Sequence, residues 1–201
     1  MKRIISIIMA LSVLFVFTAC DAESPADTTK VFLDSIKTQN GEKFASVYVY
    51  GGSAFDDLFS QTDEGILGEV ETKALDKMLD FDYTIKKEEI NDNTATVTVD
   101  MKCYALGETV EDAAQEMYEK VFDEYGSRIF SGEDISEEEL NNFLGSILLE
   151  KINALDGKTF EKTIQIDLLK EDNKWKVAAL DENSEFYEAF GGGIFKALEN
   201  V

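Results

Sequence analysis

Between Lys158 and Leu180 the chain alternates apolar and polar residues with few breaks, and no other stretch limits the fold as tightly. Phe160, Ile164, Ile166 and Leu168 fall on alternate positions, the period that buries one face of a strand and leaves the other wet. Glu171-Asp172-Asn173-Lys174 reads as a turn, with Asn173 tolerant of a left-handed backbone, and Trp175, Val177 and Ala179 then resume the alternation. The segment is therefore expected to be an antiparallel hairpin. A lone hairpin is barely stable in water, so the chain must supply more strands and an apolar cover.

Phe81, Tyr83 and Ile85 open a second hairpin, in which the alternation slips by one residue around Lys86-Lys87, as a bulge would require. Asn91-Asp92-Asn93-Thr94 is its turn. Ala95, Val97, Val99, Met101 and Cys103 form the inward face of the return strand, with Thr96, Thr98, Asp100 and Lys102 outward. Two hairpins give four strands, enough for one antiparallel sheet.

Helical patterns fill the rest. Asp27 can cap a helix to about Gln39 carrying Val31, Phe32, Leu33 and Ile36, and Glu42 to Val49 follows as a shorter one. Ser53 can cap a brief piece around Phe55, Leu58 and Phe59. Ile66, Leu67, Val70, Ala74, Leu75, Met78 and Leu79 recur at helical spacing. Residues 107 to 156 hold a helical pair. Val110, Ala113, Ala114, Met117, Val121, Tyr125 and Ile129 line the first helix, and Ser136 with Glu139 forms a capping box for a second lined by Leu140, Phe143, Leu144, Ile147, Leu148, Ile152 and Leu155. Ser184 can cap Glu185 to Phe190, Gly191-Gly192-Gly193 reads as a flexible helix break, and Ile194, Phe195 and Leu198 mark a last short helix. The expected fold class is α+β: a four-stranded antiparallel sheet covered by helices on one face, with a helical pair inserted between the two hairpins.

Residues 1–19 read as a signal peptide, with Lys2-Arg3 as its positive end and a nearly unbroken apolar run from Ile4 to Phe17. A run of roughly 14 residues is short for a membrane span, which needs about 20. Thr18-Ala19-Cys20 closes it and resembles the lipobox of bacterial lipoproteins. That resemblance implies cleavage before Cys20, diacylation of Cys20, and attachment to the outer face of the cytoplasmic membrane through lipid alone. Residues 20–26 become a lipid-anchored tether, at most about 20 Å long from Asp21 to Ala26, and residues 27–201 a single domain.

Loss of residues 1–19 removes Lys2 and Arg3 and no acid, so the formal charge passes from −22 to −24. Such a surface repels a phosphate backbone, which argues against nucleic acid as a partner. The acidity reads first as a device for solubility, with a specific cationic partner as the alternative. The sequence has no histidine, so Ser-His and Cys-His nucleophile pairs and most zinc sites are excluded. With Cys20 lipidated only Cys103 remains, in phase with Val97, Val99 and Met101, hence a buried and inert thiol.

Carboxylate runs such as Asp56-Asp57, Asp63-Glu64, Glu133-Asp134 and Glu137-Glu138-Glu139 fall on turns and helix starts, where negative charge suits the helix dipole. Asn91–Thr98 and Glu171–Leu180 lack the glycine and glutamate of a calcium loop. No catalytic residue, metal site or cofactor is assigned. Three side chains are candidates for a pocket: Tyr83 through its hydroxyl, Arg128 as the one arginine beyond the signal, and Trp175 at a pocket mouth. Against these stand pairing of Arg128 with a local acid and burial of Trp175 under the sheet.

The lipobox, Phe32-Leu33 on the opening helix, Lys174-Trp175-Lys176-Val177 on the last strand and Phe190-Gly191-Gly192 together resemble small Gram-positive lipoproteins of unknown function. Their fold is similar to nuclear transport factor 2-like and cystatin-like proteins, which implies a curved sheet wrapped around a helix and a cone with a pocket. Three functions follow as expectations. The first is a non-enzymatic binding module for a small molecule or an envelope protein. The second is a protein-docking module that uses the 107–156 pair. The third is a cone-fold enzyme. An enclosed cavity lined by Tyr83 and Trp175 would favour the ligand reading; an exposed apolar stripe on the pair would favour docking.

Overall fold

In a computed structural model, residues 24–53, 55, 65–181 and 184–200 are described. The signal peptide, Cys20, most of the tether, Leu58 and Phe59 lie outside them. Ser24 caps the first helix, α1 (Pro25–Lys37), by accepting from the Asp27 amide at 3.0 Å, and Pro25 stands where a missing N–H costs nothing. The cap is thus three residues earlier than the Asp27 expected from the sequence, because the Ser24 hydroxyl engages both the amide and the carboxylate of Asp27. Asn40 caps α2 (Gly41–Val47), and α3 follows at Gly65–Leu79.

The two hairpins form as their alternation dictates: β1 (Asp82–Asn91) with β2 (Thr94–Cys103), and β3 (Phe160–Glu171) with β4 (Lys174–Val177). They join in one antiparallel sheet of order β1-β2-β3-β4. The bulge falls between Ile85 and Lys87. β2 and β3 pair over their full length, placing Val97 opposite Ile166 and Val99 opposite Ile164, all fully buried. Both Asp172 and Asn173 adopt positive φ, which sets a tight turn whose twist suits a hairpin. β4 is shorter than its sequence pattern: its ladder to β3 ends one rung past Val177, where the Ala178 amide donates to the Asp167 carbonyl, while the other edge of Val177 pairs with the chain at Tyr48–Val49.

Helix α4 (Leu106–Ser131) and α5 (Glu137–Ala154) connect β2 to β3, and α6 (Glu185–Phe190) and α7 (Ile194–Asn200) close the chain. α1, α2 and α6 cover the apolar face of the sheet, where Phe32 meets Phe44 at 5.3 Å and Phe186 at 5.6 Å between ring centroids. The helical pair packs chiefly against α3 and α7. Val70, Leu106 and Ile152 centre this second cluster, joined by Ala74, Leu148, Leu149 and Ile194.

The glycine triplet is the opposite of a flexible break. Gly107 donates to the Gly192 carbonyl at 3.0 Å, and a methyl group on Gly192 would lie 1.9 Å from the Tyr104 carbonyl oxygen. Gly192 and Gly193 also hold positive φ. Backbone therefore packs directly on backbone here, which only glycine permits.

Candidate functional site

Both ends of the helical pair are fixed at one end of the sheet, since α4 begins beyond Cys103 and α5 leads into β3. At that end Lys158 bridges Asp80 and Asp82 at 2.7 and 3.2 Å, and Lys77 donates to the Leu155 carbonyl at 2.6 Å. α1 begins at the other end, where the Ala26 amide donates to Glu88 at 3.0 Å. A helix rises about 1.5 Å per residue, so the α4–α5 turn lies roughly 27 Å along α5 from its attachment.

Two charge clusters lock α4 to α5. Glu116 accepts from Lys120 of its own helix at 2.5 Å and from Lys151 of α5 at 2.7 Å. Hydrogen bonds from these two lysines hold the Glu116 carboxyl down at about 2, well below its ordinary range. Near the turn, Arg128 donates to Glu139 at 2.5 Å and to the Asp134 carbonyl at 3.0 Å, with its guanidinium over the Tyr125 ring. Tyr125 in turn meets Phe143 edge-on at 5.3 Å. Ser136 caps α5 through the Glu139 amide as expected, but the Glu139 carboxylate goes to Arg128 and no box is closed.

Beginning about 20° round the helix from Tyr125, α4 carries apolar side chains that the described residues leave exposed. Tyr118 is 70% exposed, Phe122 52%, Ile129 49% and Phe130 85%. Ile129 was expected inward with Tyr125. It is half exposed instead: four residues on from Tyr125, it stands about 40° further round the helix. Tyr118 and Phe122 touch edge-to-face at 5.6 Å. Positions 118, 122, 126 and 130 form one four-residue ridge, with Gly126 between Phe122 and Phe130. Gly126 is itself buried, although a Cβ built on it meets no atom within 4 Å, so the ridge is interrupted there without an open notch. The sequence reading missed this ridge because it followed the stronger inward stripe. The available signal was three aromatic residues off that stripe at multiples of four.

The structure does not bring Tyr83 and Trp175 together. Tyr83 is on β1 in register with Met101 and hence Lys162, whereas Trp175 is on β4 opposite Lys170. Eight residues along β3 and three strand spacings separate them, roughly 26 Å by 14 Å. Tyr83 donates to Asp34 at 2.7 Å, and burial followed by that carboxylate pushes its phenol well above the usual range. Trp175 is 7% exposed in the sheet core, with Lys170 over its ring at 5.4 Å. Arg128 is engaged within the helical pair. Burial likewise pushes the Cys103 thiol up to about 12.

The uncovered face of the sheet holds a shallow recess of about 340 Å³ bounded by Thr84, Asp100, Lys102, Glu161 and Thr163. Cross-strand pairs already occupy these groups: Thr163 donates to Asp100 at 2.7 Å, and Lys102 meets Glu161 at 2.8 Å. No group of metal-ligating side chains occurs among the described residues. None of the described helices is long and apolar enough to cross a membrane.

No family model matches the chain, and no curated protein does. Among solved structures, a candidate lipoprotein, YcdA, from Bacillus subtilis subsp. subtilis str. 168 is similar at 21% identity and a TM-score of 0.44. The match covers 90% of this chain and 55% of that one, so the chain spans little more than half the length of its solved neighbour.

Proposed function

We propose that this chain is a lipid-anchored docking module on the outer face of the cytoplasmic membrane, which offers the α4–α5 pair to another envelope protein. The observation that carries the reading is the uncovered aromatic ridge of α4, because soluble surfaces of this kind are normally reserved for contact. A second consideration is rigidity. Ion clusters at Glu116 and Arg128 fix the ridge in place before any partner arrives, so little order remains to be imposed on binding.

Anchoring is read from Lys2-Arg3, the apolar run and Cys20, with residues 20–26 as the tether and the remainder as one domain. In this reading α1 on the sheet is the cystatin-like unit and the helical pair an addition to it. The reading gives no residue a catalytic role, in keeping with a sequence that lacks histidine altogether.

A photocrosslinking amino acid placed at Phe122 in living cells, and separately at Thr98 on the bare sheet face, tests the proposal. A discrete adduct from position 122 and none from 98 is the expected outcome. Equal labelling from both positions, or none from 122, would overturn it.

A further inference from the structure

The charge around the ridge narrows what can dock there. Residues 106–154 carry thirteen carboxylates against Lys120, Arg128 and Lys151, a net charge of −10 and close to half that of the whole chain. All three basic residues are already engaged, by Glu116, Glu139 and Glu133. Glu119 and Asp123 are exposed and run as a second row beside Tyr118 and Phe122, and Glu133 and Asp134 stand just past Phe130. Among the described residues the surface is thus an apolar ridge with an acidic margin, and the three basic residues of the pair are already matched to acids.

A second copy of the chain would set −10 against −10, and an anionic lipid surface would meet the same repulsion. We infer that the occupant is a basic amphipathic helix of another protein, whose apolar side meets Tyr118, Phe122 and Phe130 and whose Lys or Arg residues flank it. This rests on the docking reading above and deepens it. From Tyr118 to Phe130 the ridge is about 18 Å long, the length of some twelve helical residues. Gly126 is itself buried, so the partner's apolar side rests on Tyr118, Phe122 and Phe130 rather than against the glycine. Charge along the margin fixes orientation and speeds encounter.

The test uses the full chain in phosphatidylcholine nanodiscs, with empty discs as the blank. It follows the fluorescence anisotropy of three labelled eighteen-residue amphipathic helices: leucine with lysine, with glutamine, or with glutamate. The lysine peptide is expected to bind at least tenfold more tightly than the glutamine one, and the glutamate peptide not at all. Combined Y118S, F122S and F130S should weaken lysine-peptide binding at least tenfold, and so should E119Q with D123N.

Glutamine and lysine peptides binding alike, with the serine variant still damaging, would leave the docking face standing and overturn the basic partner. No peptide binding, while crosslinks form at position 122 in cells, would do the same. Lysine-peptide binding indifferent to every variant would reduce the attraction to bulk charge and overturn the inference. A dimer on sedimentation that the serine variant abolishes would make the occupant a second copy, which also overturns it.

Discussion

At the scale of single residues, Gly192 and Gly126 make opposite predictions from the same amino acid. Gly192→Ala forces a methyl group onto the Tyr104 carbonyl and a side chain into positive φ, and should cost about 2–4 kcal/mol in urea denaturation. Gly126→Ala enters open space inside a helix and should raise stability by about 0.5–1 kcal/mol. Equal effects from the two would refute the packing described at the triplet. Cys103 is expected to react slowly with a thiol reagent in the native protein and fast once unfolded, since burial holds it protonated. Its burial was legible from its phase on β2. The packing of the triplet was not, because a glycine run looks the same whether it is loose or pressed against Tyr104–Gly107, more than eighty residues away.

Between elements, the Glu116 cluster decides whether α4 and α5 move as one. Its carboxyl is depressed in the folded protein from the ordinary 4.5 to about 2. Its contribution is therefore complete above about pH 4.5 and disappears as the pH falls through about 2. Glu116→Gln should raise amide exchange across both helices at pH 7 and have a much smaller effect at pH 2, where the carboxyl is about half protonated; an equal effect of the substitution at both values, or none at pH 7, would show the cluster idle. Strand positions, the bulge at Lys86 and the Ser136 cap were readable because each is set by local periodicity or turn chemistry. The Arg128–Glu139 pair was readable only as a preference for some local acid, since choosing Glu139 requires the α4–α5 turn. The pairing of Tyr48–Val49 with the outer edge of Val177 joins segments distant in sequence, which no strand pattern reveals.

For the molecule as a whole, helical periodicity announced that each helix has an apolar face but not which neighbour it faces. α1, α2 and α6 turned theirs to the sheet; α3, α4, α5 and α7 built a second cluster around Val70, Leu106 and Ile152. That division leaves one side of α4 without a covering layer, which no reading of a single helix reveals. Replacing Cys20 with Ala should shift the protein from membranes into the medium or leave an uncleaved precursor; unchanged lipid labelling would contradict the anchor. The most direct test of the central claim is hydroxyl-radical footprinting of the aromatic rings, in purified protein and on native membranes. The account expects Tyr118, Phe122 and Phe130 to oxidise rapidly in the purified protein while Trp175 and Phe186 resist, and expects the ridge alone to become protected on native membranes. Slow oxidation of the ridge in the purified protein, or no protection on the membrane, would contradict it.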